Sequence, residues 1–257
     1  MRILNAQWCN LANEVCVLID LLVCNCSLVY VLYINVNIYS LMKTYIYFHI
    51  CCINNWISIV DQLYTNIKKS GLYDIVDEIR CGVLGNCDLS IDLFNDPKVK
   101  IVVQSLDIGL YETITVNKLL EDALSEDFYA LYMHSKGVRY NGTRPNVIDW
   151  VNFLTYFNIY KHKECIELLK STCECVSVNL VTVPTVHYSG NFWWSKSSYI
   201  KTLKPCYYDN YNAPEFWITS GSGHFVTLWN SNIDQYHHPY PYTEYINKDI
   251  EVKGIRK

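Results

Sequence analysis

Tyr45-Ile46-Tyr47-Phe48-His49-Ile50-Cys51-Cys52 is a continuous β-prone run, and a change of period follows it almost at once. Trp56, Ile59, Val60, Leu63 and Ile67 recur at the spacing of one helical face, and Gly71 supplies a C-terminal cap. A strand handed directly to a helix is the opening unit of an alternating α/β chain. The alternation continues downstream. Residues 79–84 read as a short strand and 99–103 as a buried one, while 111–124 carry helical spacing through Ile114, Leu119 and Leu120. Residues 128–133 form another apolar strand. The longest helical pattern spans 147–169, with Trp150, Phe153, Leu154, Phe157, Ile166 and Leu169 as its apolar stripe. Lys161, Lys163, Glu164, Glu167 and Lys170 interleave there as a solvated face does. The expected fold is therefore an α/β sheet with helices on both faces.

Composition narrows the function classes. A net charge of −4 with no basic block does not indicate a nucleic-acid or anionic-membrane surface. The 12 cysteines contain no C-x-x-C, so the spacing offers no zinc framework. Several fall inside apolar runs, where a reduced thiol behaves as a small hydrophobe, and a cytoplasmic location is expected.

The first 41 residues are a separate problem. Residues 15–39 are almost wholly apolar, with Asp20 the one charge, and are long enough to span a bilayer. Asn25, Asn35 and Asn37 interrupt them, and the features of a signal peptide are not clear. Met42-Lys43-Thr44 stands immediately before the first strand. The expected division is an apolar N-terminal extension at 1–41, from upstream translation or a membrane anchor, and a folded domain at 42–257. Membrane association, the alternative location, would run through residues 1–41 alone.

Ligands of such sheets bind at the carboxyl ends of the strands. One end is Leu131-Tyr132-Met133-His134-Ser135-Lys136-Gly137-Val138. His134 and Lys136 beside exposed backbone N–H groups can neutralise a diphosphate, although an ordinary polar turn has the same look. A second segment, Ala213-Pro214-Glu215-Phe216-Trp217-Ile218, places Glu215 where it can take a proton from an attacking hydroxyl. The helix dipole equally favours a glutamate there. A third, His187-Tyr188-Ser189-Gly190-Asn191-Phe192-Trp193-Trp194, sets two indoles behind small and amide-bearing residues, an arrangement that suits a sugar ring. The bland alternative is a tight turn followed by one core and one edge tryptophan.

In combination these blocks, with Cys51-Cys52-Ile53-Asn54-Asn55, Ser70-Gly71-Leu72-Tyr73 and Tyr111-Glu112, resemble a family of GT-A-type glycosyltransferase-like proteins found in bacterial polysaccharide loci and large DNA viruses. The resemblance covers about residues 42–217. It implies a single domain with a GT-A-like (Rossmann-like) mixed sheet, a nucleotide-diphosphate-sugar donor, and transfer to a hydroxyl of a glycan or other acceptor. By that resemblance Asn54 and Asn55 face the nucleotide, and His134, Lys136 and Gly137 sit near the diphosphate. Ser189, Gly190, Asn191, Trp193 and Trp194 line the sugar or acceptor pocket, and Glu215 is the base.

One departure matters. GT-A enzymes commonly hold Mn²⁺ or Mg²⁺ with Asp-x-Asp, and this chain has His134-Ser135-Lys136 at the equivalent place. The metal site stays unassigned, and Lys136 is expected to supply the charge. His187, His224, His237 and His238 remain candidate ligands, each more often a surface or satisfied histidine. Two other functions stay open: non-catalytic carbohydrate binding on the same fold, and a membrane-tethered structural role. The aromatic, Pro-rich C-terminus is expected to fold back over the sheet or meet a partner.

Overall fold

The opening run becomes strand β1, Lys43–Cys51, in which Thr44, His49 and the apolar residues around them are all buried. The computed structural model describes residues 42–171, 173–208 and 211–257. The apolar extension at 1–41, with the anchor expected there, lies outside the described residues. Residues 42–257 cluster as one compact unit.

After β1 come α1 (Trp56–Lys69), α2 (Leu72–Ile75), β2 (Glu78–Leu84), β3 (Val99–Ser105), α3 (Thr113–Ser125) and β4 (Phe128–His134). Next are α4 (Pro145–Thr155), a π turn (Tyr156–Tyr160), α5 (His162–Ser171), β5 (Cys175–Ser177), β6 (Leu180–Val181), β7 (His187–Tyr188) and β8 (Trp193–Lys196). The chain ends with α6 (Ser197–Ile200), α7 (Ala213–Trp217), β9 (His224–Thr227) and β10 (Lys253–Arg256).

Eight strands form a mixed sheet in the order β10-β9-β5-β8-β4-β1-β2-β3, and β6 and β7 pair separately. The β3-β2-β1-β4 half is parallel, β8 runs antiparallel to β4 and β5, and β5 is parallel to β9. The chain steps outward from β1 through β2 to β3, then returns through α3 to the other side of β1 as β4. The strand order reverses between β1 and β4, and a crevice opens at their carboxyl ends.

Both faces are covered, as expected. Ile46, Phe48, Ile50, Leu131 and Met133 pack with residues of α1, α4 and α5. Tyr45, Tyr47, Ala130 and Tyr132 pack against Val116, Leu119 and Leu120 of α3 on the opposite face. Gly82 of β2 makes the α3 contact possible, since a Cβ there would lie 1.9 Å from Thr115 Oγ1.

Three expectations are corrected. β3 is an edge strand with Val99 as its one buried residue, because among the described residues nothing pairs along its outer side. The long helix at 147–169 is not continuous. A π turn breaks it, with Lys161 N–H bonded to the Tyr156 carbonyl five residues back, and Asn158 is fully buried there. The C-terminal stretch packs on the helices rather than on the sheet: Tyr240 and Tyr245 meet Phe153, and Tyr242 meets Tyr156. Beyond them β10 extends the sheet against β9. Among the described residues no helix is long and apolar enough to cross a membrane, and no disulfide joins the eight cysteines there.

Candidate functional site

The ends of β1 and β4 are tied together before any side chain reaches the crevice. Ser135 donates its N–H to the His49 carbonyl at 2.9 Å, and its hydroxyl accepts from Cys51 N–H at 3.0 Å. Gly137 then turns the chain at φ +92°, a conformation that side chains rarely adopt. Asn54 and Asn55 serve the same stapling. Asn54 Nδ2 donates to the Val138 carbonyl at 2.9 Å, and Asn55 Nδ2 donates to that of Asn141. Each amide thus spends one N–H on backbone. Asn55 also borders a recess of about 80 Å³ whose wall includes Lys136 and Gly137, whereas Asn54 lines none of the three cavities.

Between the β1 and β4 ends lies a cavity of about 420 Å³ whose wall includes His49, Glu112, His134, Lys136, Arg139 and Trp150. Lys136 extends its Nζ to 3.6 Å above the Trp150 ring. Among the described residues that ring is its one close partner, with no carboxylate at ion-pair distance. Burial pushes its pKa below the ordinary lysine value, and the charges of Glu215 and Glu112 oppose the shift.

Those two glutamates come from distant parts of the chain and meet on one turn. Glu112, at the start of α3, accepts from Tyr132 Oη at 3.0 Å and from Asn191 Nδ2. Glu215, in α7, accepts the Gly190 N–H on Oε1 at 2.7 Å. His134 Nε2 lies 3.1 Å from the Gly190 carbonyl. Burial lowers the His134 pKa to about 3, so the neutral ring donates Nε2–H to that carbonyl. Its Nδ1 stands 3.5 Å from Glu112 Oε1, too far to hold a proton there. His49 is buried beside Thr115 Oγ1 at 2.8 Å, and burial lowers its pKa to about 4.

Gly190 is the hinge of this arrangement. It sits at φ +99°, and a Cβ would stand 2.7 Å from Leu154 Cδ1 and 2.8 Å from Trp150 Nε1. No side chain fits without moving the ring under Lys136.

The sequence-expected residues therefore divide. His134, Lys136, Gly137, Gly190, Asn191 and Glu215 gather around the crevice. Trp193 and Trp194 do not: both are fully buried and line neither large cavity, which corrects their reading as a sugar platform. Trp193 stacks on Tyr132 at 4.9 Å and donates to Asn191 Oδ1 at 2.9 Å. Trp194 points to the other face and donates to the Asn158 carbonyl at 2.8 Å. Neighbouring residues of an interior strand covered on both sides can both be core, and each indole N–H finds its acceptor.

Glu112, Arg139 and Tyr236 are site residues that carry no sequence signal of their own, and Glu112 is the most consequential. It was visible only beside Tyr111 in the resemblance, and its place depends on the strand order that brings the β3–α3 junction beside β4. Tyr111 carries a positive φ of 47°, which the sequence does not announce.

Ser189 and Glu215 border a second, larger cavity of about 630 Å³, and Tyr236 lines both cavities. Of the candidate metal histidines, His187 Nδ1 lies 2.8 Å from the Thr185 carbonyl, and His237 Nδ1 lies 2.7 Å from Asp234 Oδ2. Among the described residues no group of three or more His, Cys, Asp or Glu side chains could hold a metal ion.

Residues 101–222 match a family described as a domain of unknown function, DUF8361. The matched segment carries Glu112, His134, Lys136, Gly190, Asn191 and Glu215, and leaves β1 and Tyr236 outside it. None of the curated proteins matches this chain.

Proposed function

We propose that the protein is a glycosyltransferase of GT-A-like fold that moves a sugar from a nucleotide-diphosphate-sugar donor to a hydroxyl of a glycan or other acceptor. One observation carries the reading: Lys136, a cation without an ion-pair partner among the described residues, stands in the switch-point cavity beside two glutamates held on one turn. A desolvated charge left unpaired is unfavourable, and an anionic ligand relieves it. The diphosphate supplies that anion, and Arg139 adds a second cation in the same wall.

The chemistry then divides among named groups. The acceptor hydroxyl gives its proton to Glu215, and its oxygen bonds to the anomeric carbon. The bond from that carbon to the diphosphate oxygen breaks, and Lys136 stabilises the charge that develops on the leaving group. Glu112 touches Tyr132, Asn191 and the His134 side and positions the turn that carries Glu215's partner. Lys136 fills the electrostatic place that Mn²⁺ or Mg²⁺ fills in Asp-x-Asp enzymes, so transfer is metal-independent in this reading. Activity that vanished with EDTA and returned with Mn²⁺ would remove that part.

Carbohydrate binding without chemistry loses its main support with the burial of Trp193 and Trp194. The decisive test is a thermal-shift screen against UDP-, GDP- and dTDP-sugars, because a bound donor stabilises the native state by mass action. Glu215→Gln is expected to keep the donor-induced shift and to reduce transfer by roughly 100-fold or more. Full turnover in that variant would overturn the assignment of the base.

A further inference from the structure

The two cavities share Tyr236, and Glu215, which lines the larger one, lies close enough to Lys136 and His134 to act on their charges. They are opposite in sign. The switch-point cavity sets Lys136 and Arg139 against the single carboxylate of Glu112, whereas the larger cavity has the carboxylates of Glu215 and Asp234 and neither lysine nor arginine. Asp234 is exposed and stays ionised, because its bonds from His237 Nδ1 and Tyr236 N–H hold it below the usual carboxylate range.

A second observation marks the larger cavity as a binding site. Gln235 lines it, is 3% exposed, and receives Asn179 Nδ2 on its Oε1 at 2.6 Å. Its Nε2 has no hydrogen-bond partner among the described residues. A buried amide normally uses its donors, so this unused N–H just behind the cavity wall can be met by an acceptor once a ligand shifts the Gln235 side chain. The same wall offers flat apolar surface: Phe216, with His187 edge-on at 4.9 Å, and the half-exposed ring of Tyr236. Ring C–H faces and hydroxyl oxygens are what a sugar presents to such a surface.

We propose that this cavity binds the acceptor, and that the acceptor is a neutral or amine-bearing glycan, without phosphate, sulfate or uronate near its reacting end. The proposal rests on the transferase reading above. Two carboxylates repel an anion in a cavity that has no lysine or arginine to offset them, whereas hydroxyls use the Gln235 donor and the Glu215 acceptor. The division of charge also sorts the substrates: a nucleotide diphosphate is drawn to Lys136 and repelled from the larger cavity. The acceptor hydroxyl arrives at Glu215 from the side that the donor avoids.

The test is a glycan array of neutral, amine-bearing, sulfated and uronate oligosaccharides, read with the full chain and with Asp234→Lys and Gln235→Met. The expected bound set is neutral and amine-bearing. Asp234→Lys is expected to lower the affinity for amine-bearing glycans roughly fivefold, and to admit uronates. Gln235→Met is expected to keep the charge class and weaken binding by about tenfold. A bound set rich in sulfate or uronate, no bound glycan at all, or an Asp234→Lys array identical to that of the parent chain would each overturn the proposal. Gln235 is buried and its variant can lose stability, whereas the exposed Asp234 variant stands as a test by itself. A donor thermal shift measured on the same samples separates the two readings. A donor that binds while the array is blank removes the acceptor proposal alone, and a donor that fails to bind removes the transferase reading beneath it.

Discussion

Arg80 and Lys136 are two cations set at opposite ends of one sheet, and their surroundings could hardly differ more. Arg80 lies toward the amino ends of the strands with its side chain 11% exposed. Its Nε meets Glu78 at 2.9 Å, Nη1 meets Tyr47 Oη at 2.9 Å and Asp122 at 3.0 Å, and Nη2 meets Glu126 at 2.8 Å. The guanidinium also lies 3.7 Å from the centroid of the Tyr45 ring. Edge and face are both used, and the charge has little left to offer a ligand. Lys136 has an indole face and a cavity. A saturated cation holds the fold together, while an unsaturated one in a concave site is available for chemistry.

The largest expected effect tests the saturated end. Arg80→Met leaves the Asp122 and Glu126 carboxylates without their main partner and is expected to lower unfolding stability by about 3 kcal/mol. Urea denaturation measures it. A loss below about 1 kcal/mol would place Arg80 with ordinary surface pairs and break the contrast.

Lys136→Met is the converse experiment. Removing an unpaired desolvated charge is expected to leave stability within about 1 kcal/mol of the parent, or to raise it, while the donor-induced thermal shift disappears. If instead stability falls as far as for Arg80→Met, Lys136 is a structural residue.

The smallest effect is a pH slope. His49 and His134 have folded pKa values of about 4 and about 3, below the unfolded value of about 6.5. The unfolded chain therefore binds protons first as pH falls. The contribution of both histidines is complete above pH 6.5 and is lost progressively toward pH 4 and 3. Between pH 7 and 6 the loss is less than about 1 kcal/mol per histidine. The thermal midpoint followed over that interval is expected to drop, and to drop less in His49→Gln. A flat midpoint would mean that the histidines are not held neutral beside Lys136.

The sequence made β1, β4 and α1 legible because their signals are local: unbroken apolar runs and one strong helical stripe. It misplaced residues 99–103, since an apolar run cannot say whether a neighbour will cover its outer edge. It read Trp193 and Trp194 as a platform for the same reason; which faces of a strand are covered is decided by helices far away in the chain. His134, Lys136, Gly190 and Glu215 were found because strand ends and turns are marked by polar and glycine residues. Glu112 was not, because nothing in Tyr111-Glu112 states that β3 and β4 lie on opposite sides of β1. The short strands β5 and β9, three and four residues long, carry too few positions for a period to be counted.

The π turn at Tyr156–Tyr160 has a consequence for chain length. A π turn holds one residue more than the α-helical path it replaces, and here that local geometry accompanies the Asn158 carbonyl's bond to the Trp194 indole. Deleting that surplus residue would let an α-helical path span the same ends, with Cys165, Ile166 and Leu169 still on the core face they fill. Winding the turn into regular α-helix at its present length would instead rotate everything after it by roughly 100° with a shift of about 1.5 Å. The π turn thus absorbs a residue that would otherwise turn α5 off the core, so a one-residue deletion here is expected to be tolerated better than a second insertion.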